Sequence, residues 1–512
     1  MDRFMVYKNG YIITCDDMDS TAEAMIIENG RVEAVGTNNE IMEIADSKHT
    51  IYDLEGKTVI PGFIDSHVHM TQTGLNKLGV KLDTAKNIQD ILLSIKRAND
   101  TRLFEELIFG IGYDDAKMTE KRPPTIDELD DVVSDKYVWL ARIDCHSCTV
   151  NSKMFRYLDL PKGIIGIDTD TNGRPTGVLR AKANSIARKK VLELIDDKTR
   201  EKALKIAAEE ALRNGVTTLG ALEGGPLFND RDFEFAYKYK DQLPVDIELY
   251  YQTTDVDKVL EKGLTRMGGC IILDGSFGSR TAALMESYED DPSTNGVLYY
   301  TQEEVDEIVL KAHKNNIQLA FHALGERSIE QILNAYEKAL NLYPRKDHRH
   351  RIEHFELPTD EQIERAAKLG VVISLQPAFE HFWGGPDGMY AERLGVERAE
   401  RTQPYRAVIE AGSLIIGGSD SDVTPISPII GIHGAVNRSR DDVRIGVKDS
   451  LKMFTINGAK AVFKETEKGS IEKGKIADFV VLSENIYEVR PEEIKDIEVE
   501  KTIKNGKIAY SK

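Results

Sequence analysis

His67 and His69 stand two residues apart in PGFIDSHVHM, at the end of an apolar, β-rich run. Residues i and i+2 of a strand point to the same side, so the two imidazoles converge on one point. A metal ion needs such convergence; two unconnected surface histidines are the plain alternative. Three more residues follow apolar runs in the same way: His322 in IQLAFHALGER, His354 in HRIEHFE and Asp420 in LIIGGSD. Taken singly, each reads as a hydrogen-bonded histidine or an aspartate capping the next helix. Four histidines and an aspartate gathered at one end of one sheet would instead make a divalent-metal site. Imidazole and carboxylate ligands suit Zn²⁺ first, and also Mn²⁺, Fe²⁺ or Co²⁺.

Eight apolar runs between residues 58 and 460 have to position these groups: TVIPGFID, GVTTLGAL, DIELYYQT, CIILDGS, IQLAFHAL, RIEHFE, VVISLQP and SLIIGGSD. Amphipathic stretches such as KTREKALKIAAEEALRNG and EEVDEIVLKAHKNN separate them. Apolar strands joined by helical crossovers imply a parallel sheet covered on both faces. Eight such units match a (β/α)₈ barrel, whose chemistry sits at the C-terminal ends of its strands. Two further runs, LIFGIGYDD and YVWLARID, exceed that count. They place an insertion at about residues 75–205, over the barrel mouth, with a turn-rich loop at IDTDTNGRPTGV.

Both ends of the chain carry short strands with Asn-Gly turns, at Asn9-Gly10, Asn29-Gly30 and Asn505-Gly506. Asn-Gly is the strongest short hairpin signal. Residues 1–57 and 463–512 therefore predict one small β-sandwich domain built from both termini, with the barrel spanning 58–462. The fold class is α/β.

Composition narrows the partners. Across 512 residues, Lys plus Arg total 67 against 86 Asp plus Glu, a formal charge of −19. So acidic a chain argues against nucleic-acid or anionic-membrane binding. Hydrophobic residues at 41% and charged residues at 30% are ordinary for a globular protein. No apolar run approaches the roughly 18 residues that span a bilayer, and the N-terminal residues lack a secretion pattern. With four cysteines, a reducing, cytoplasmic setting is the expectation. Cys145 and Cys148 form a single C-x-x-C, whereas a zinc ribbon needs a second pair. Phosphate-loop, dinucleotide and nucleophile-elbow motifs are absent from the sequence.

The order HVH after a PGFID strand, then single His, single His and Asp, resembles the amidohydrolase superfamily over nearly the whole chain. GKTVIPGFIDSHVH, GSIEKGKIADFVVL and TIKNGKIAY are similar to its β-flanked members. DGSFGSRTAAL, FHALGERSI, HRIEHF and GGSDSDVTPISP resemble the long branch that includes N-substituted formamide deformylase. The resemblance implies a metal-dependent hydrolase acting on a small-molecule amide-type C–N bond. Deamination of a cyclic amidine or aminopyrimidine is the alternative, and a non-catalytic barrel relative a third. His67, His69, His322 and His354 become metal ligands by position, and Asp420 both ligand and proton shuttle.

One departure stands out. Many relatives carry a carboxylated lysine bridging two metals where this chain has Cys270, in GGCIILDGS. A thiolate can ligate Zn²⁺; a small buried thiol is the other reading, and one or two ions remain open. Glu223, at the end of the second barrel strand, is a spare carboxylate for substrate or metal. The branch shows a pattern like Arg142, Asp144 and His146, which would face substrate; an Arg142–Asp144 ion pair is the alternative. Asp274 and Arg280 follow the fourth strand, and Trp383, in a loop with His381, would give substrate an aromatic wall. A small-molecule substrate, with a homodimer open as the assembly, completes the expectation.

Overall fold

The structure is a computed structural model, describing residues 4–101, 105–142, 147–226 and 228–512. The chain forms two compact units. One holds residues up to Met70, Ala207–Leu227 and Phe233–Lys512; the other holds Thr71–Ile206 and Phe228–Asp232.

The first unit contains the barrel. Its strands are β1 (Phe63–Val68), β2 (Val216–Glu223), β3 (Asp246–Tyr251), β4 (Arg266–Ile272), β5 (Gln318–Ala323), β6 (Arg351–His354), β7 (Val372–Leu375) and β8 (Ile415–Gly417). They hydrogen-bond in sequence order as one eight-stranded sheet, and each adjacent pair is parallel. Just beyond β8 the chain returns to β1: the Asp420 N–H donates to His67 O at 2.8 Å and the His69 N–H to Ser421 O at 2.6 Å. These contacts all but close the barrel, so a residue at the end of β1 meets one after β8. Each of the eight runs marked in the sequence overlaps one of these strands. Buried parallel strands are apolar on both faces, which makes them legible as continuous runs.

The crossovers carry their own start signals. Thr301 and Glu304 form a reciprocal capping box on the helix Gln302–Lys314, and Thr359 with Gln362 does the same for Asp360–Leu369. Each box satisfies amides that the first helical turn leaves unpaired.

Around the barrel's chain ends lie two further sheets. One orders Arg31–Gly36, Ala24–Glu28, Phe4–Lys8 and Thr50–Asp53; the other orders Lys507–Ser511, Val499–Lys504, Phe479–Leu482, Thr58–Pro61, Tyr11–Ile13 and Thr21–Ala22. Met5, Ile27, Val59, Phe479 and Ile503 share a buried cluster between them, a sandwich drawn from both termini. The run TVIPGFID, taken as one strand in sequence, is two. Thr58–Pro61 pairs antiparallel with Phe479–Leu482, while Phe63–Val68 enters the barrel. Gly62 separates them, and a Cβ there would come within 2.4 Å of Thr217 Oγ1.

The second unit has its own six-stranded sheet: Ile167–Thr169, Pro175–Arg180, Ser147–Val150, Tyr137–Arg142, Leu107–Tyr113 and Val80–Lys81. The two surplus runs are its fourth and fifth strands, paired in parallel. The turn-rich 167–178 segment is a hairpin, not an open loop. Ile91, Ile95, Ile108, Leu140 and Leu179 are fully buried in its core. No described helix is long and apolar enough to cross a membrane.

Candidate metal centre

His67 is fully buried on β1. Its Nδ1 lies 2.7 Å from Glu353 Oε2. Burial would raise the Glu353 carboxyl, but Arg351 beside it, with His67, brings it down to about 2. An ionised carboxylate only accepts, so His67 Nδ1 donates. The His69 Nδ1 lies 3.0 Å from the carbonyl oxygen of Leu222 on β2, and it too must donate. Each ring then turns its Nε2 inward, 3.1 Å from Asp420 Oδ1; with its proton held on Nδ1, the neutral form of either ring would offer a lone pair there. The Cys270 sulfur lies 3.4 Å from His69 Nε2 and 3.8 Å from His67 Nε2.

His322 and His354 extend the group. The His322 Nε2 donates to Gly275 O at 3.2 Å, which leaves its buried Nδ1 without a hydrogen bond. Neither ring nitrogen of His354 has one. The His354 ring centre is 4.4 Å from that of His322 and 5.2 Å from that of His67. A left-handed backbone at His354 (φ +75°) and at Asp420 (φ +53°) turns both side chains at their strand ends. Such conformations are uncommon for non-glycine residues and collect at functional sites.

These groups face one another in one buried cluster, and its acidic members, Asp420 and Cys270, call for positive charge. Burial lowers the basicity of His67, yet Asp420 raises it well above the usual imidazole; Cys270 and Asp420 do the same for His69. Conversely, burial would raise the Cys270 thiol, but His69 and its neighbours hold it well below its ordinary value. His67 and His69 likewise hold Asp420 well below the usual carboxylate range against the effect of burial. A bound cation answers the same need as protons on the rings. His67, His69 and Cys270 bring their ligand atoms within 4.8 Å of one another, as do His67, His354 and Asp420. The donor set, imidazole with one carboxylate and one thiolate, fits a divalent ion of borderline softness.

Three supporting residues escaped the sequence reading: Glu353, Arg351 and Asp65. Arg351 grips both oxygens of Glu353, at 2.7 and 2.9 Å, and donates to Ser66 O on β1. Asp65 accepts the Ser419 N–H at 2.9 Å and so fastens β1 to the turn after β8. Each sits within three residues of His67 or His354, inside HRIEHF or PGFIDSHVH, and that nearness is the one signal that could have found it.

Other expected residues sit as follows. Glu223 is buried at the end of β2. Asp274 accepts three backbone N–H groups, from Ala283, Leu324 and Gly325, tying the loop after β4 to the one after β5. Arg280 is engaged by both oxygens of Asp290, at 2.9 and 2.6 Å. Trp383 ends the short helix Ala378–Trp383 and packs on Phe379 with ring centres 4.9 Å apart. Phe379 in turn lies nearly parallel to the His354 ring at 6.1 Å. His381 packs edge-on against His433. Arg142, in the second unit, pairs there with Asp115 at 2.6 Å and Asp114 at 3.5 Å. Asp144, Cys145 and His146 lie outside the described residues.

A model of the amidohydrolase family matches residues 50–510. The chain belongs to the amidohydrolase family. Among curated relatives of this amidohydrolase, a putative amidohydrolase of Bacillus subtilis, YtcJ, is 30% identical, with 99% of each chain covered. The N-substituted formamide deformylase of Arthrobacter pascens is 26% identical over 100% of this chain and 99% of its own. Among solved structures, an uncharacterized metal-dependent hydrolase from Pyrococcus furiosus superposes with a TM-score of 0.82. It is 28% identical and covers 95% of this chain and 100% of its own.

Proposed function

We propose that this amidohydrolase is a metal-dependent hydrolase of a small-molecule amide-type C–N bond. His67, His69, His322, His354, Asp420 and Cys270 would hold the ion. The observation that carries the reading is the set of ring nitrogens turned on Asp420 and Cys270, with the outer nitrogens of His67 and His69 fixed by Glu353 and Leu222 O. The chemistry a divalent ion supplies there, Zn²⁺ first, is Lewis acidity towards water and towards a carbonyl oxygen.

The chain's own groups do the rest. As water adds to the carbonyl carbon, the Asp420 carboxylate takes its proton. When the C–N bond breaks, Asp420 returns that proton to the leaving nitrogen, acting first as general base and then as general acid. Glu353 and the Leu222 carbonyl keep both histidine rings in one tautomer through the cycle. The names of the deformylase relative and the archaeal metal-dependent hydrolase support this class.

The test is metal analysis of the purified protein, followed by a panel of N-formyl, N-acyl, cyclic amide and aminopyrimidine compounds. Hydrolysis that a chelator abolishes and added metal restores is expected. Turnover confined to the aminopyrimidines would replace amide hydrolysis with deamination. Turnover that survives metal removal would end the metal reading. Cys270→Ser is expected to lower metal content, and unchanged stoichiometry and affinity would make the thiol a bystander.

A further inference from the structure

Glu356 is two residues past His354, 1% exposed, and neither carboxyl oxygen makes a hydrogen bond of good geometry, the Tyr390 hydroxyl being, among the described residues, the one side-chain donor that reaches it. It stands where the chain leaves β6 through two consecutive left-handed residues, His354 and Phe355. The Phe355 N–H donates to Ala323 O at the end of β5, so Glu356 belongs to the end of the barrel that carries the histidines. The charged side chains acting on it are Glu380, His322 and Asp420, and its polar side-chain neighbour is the Tyr390 hydroxyl. Two more buried groups at this end of the barrel are incomplete. Gln376, directly after β7, has a bare Oε1, and Gln403, whose N–H donates to Glu356 O at 2.7 Å, has a bare Nε2.

Buried polar atoms are nearly always paired, and leaving one unpaired is costly. The bare atoms are three oxygens without a donor and one amide nitrogen without an acceptor. Next to Glu356, Phe379, Trp383, Tyr390 and Leu357 form an apolar cluster, and Phe379 lies along the His354 ring. Few polar groups set among aromatic walls are how small-molecule sites fix orientation.

We propose that Glu356 is a specificity residue that receives an N–H or amine group on the part of the substrate remote from the amide that is cleaved. The substrate class is then an amide whose apolar or aromatic stem bears a hydrogen-bond donor. Gln376 and Gln403 border the same subsite. In either protonation state a carboxyl keeps an acceptor oxygen for such a group. The proposal rests on the amide-hydrolase reading, and its test separates the two.

The first measurement needs no substrate. Thermal melting of metal-loaded wild type is compared with Glu356→Met, which keeps the length and removes the unpaired carboxyl. A group retained for substrate is a burden on the free enzyme, so the variant is expected to melt about 2 °C or more higher with unchanged metal content. A fall of several degrees would show that the carboxyl is structural and overturn the subsite. The second measurement takes matched N-acyl compounds that differ only in an amino group against a methyl group on the stem. Wild type is expected to favour the amino member by about 100-fold in kcat/KM. Glu356→Met should bring that ratio to within about threefold, and Glu356→Gln should retain part of it. An unchanged ratio in Glu356→Met would overturn the specificity role. Failure of metal-loaded wild type on every amide would overturn the amide-hydrolase reading, and the specificity role with it. The melt alone still reports whether the carboxyl is structural.

Discussion

Glu353 Oε2 lies 2.7 Å from Nδ1 of His67, joining the sixth barrel strand to the first across 286 residues of sequence. Arg351 clamps the same carboxylate from the other side. Carboxylates behind ligating histidines set the ring's tautomer and its basicity. Glu353→Gln is therefore expected to weaken metal binding by about 10–100-fold, read by competition with a chromophoric chelator. Wild-type affinity in this variant would mean that His67 needs no charged partner.

Asp420→Asn tests the proton shuttle apart from the ligand. Asparagine keeps an oxygen for the ion but cannot take the proton of water. Metal content should hold while kcat falls by about 10²–10⁴-fold on any amide the wild type cleaves. Near-normal turnover would move the shuttle elsewhere.

Gly418 sits at the β8–β1 seam. A Cβ there would lie 2.5 Å from His67 Cβ and 2.8 Å from His67 N. Gly418→Ala must push β1 and the turn after β8 apart, at a cost of about 1–3 kcal/mol. Denaturant unfolding should show that loss together with weaker metal binding. If stability drops and affinity does not, the seam and the centre are independent.

At the opposite end of β5 and β6, two buried histidines, His313 and His350, are hydrogen-bonded ring to ring. His313 Nε2 lies 2.7 Å from Tyr343 O and so donates; its Nδ1 then accepts from His350 Nε2 at 2.8 Å. His350 Nδ1 accepts the Leu319 N–H at 3.1 Å. Burial, with His348, His313 and Arg345 nearby, holds His350 well below its usual value. The unfolded chain thus binds this proton more readily than the folded one. The stabilisation is complete above about pH 6.5, the unperturbed imidazole value, and is lost as pH falls from there towards the folded value. Melting temperature should drop between pH 7.5 and 5.5, and His350→Gln should flatten that drop. Parallel wild-type and variant curves would place the sensitivity at other groups.

The eight barrel strands were legible because each is a buried apolar run between turn formers. The division of TVIPGFID was not, since Thr58–Pro61 is as apolar as Phe63–Val68 and only its distant partner Phe479–Leu482 draws it into another sheet. The insertion's own sheet was hidden for a similar reason: Leu107–Tyr113 and Tyr137–Arg142 have the period of barrel strands. Among site residues, histidines at strand ends announce themselves by type and spacing. Arg351 and Glu353 do not, because an ion pair two residues apart in a strand looks like ordinary surface charge until burial is known. Glu356 is harder still, for its mark is what its oxygens lack.

The pairing of Thr58–Pro61 with Phe479–Leu482 also sets a timetable for biosynthesis. Roughly four hundred residues must be translated between the two strands, about 20–80 s at 5–20 residues per second. Throughout that interval the earlier strand has one flank, later covered by its C-terminal neighbour, without a partner. Unpaired apolar strands of this kind are sites of wrong association. A nascent chain stalled before residue 479 should accordingly recruit chaperones more strongly than the released protein, however early its barrel strands have been made.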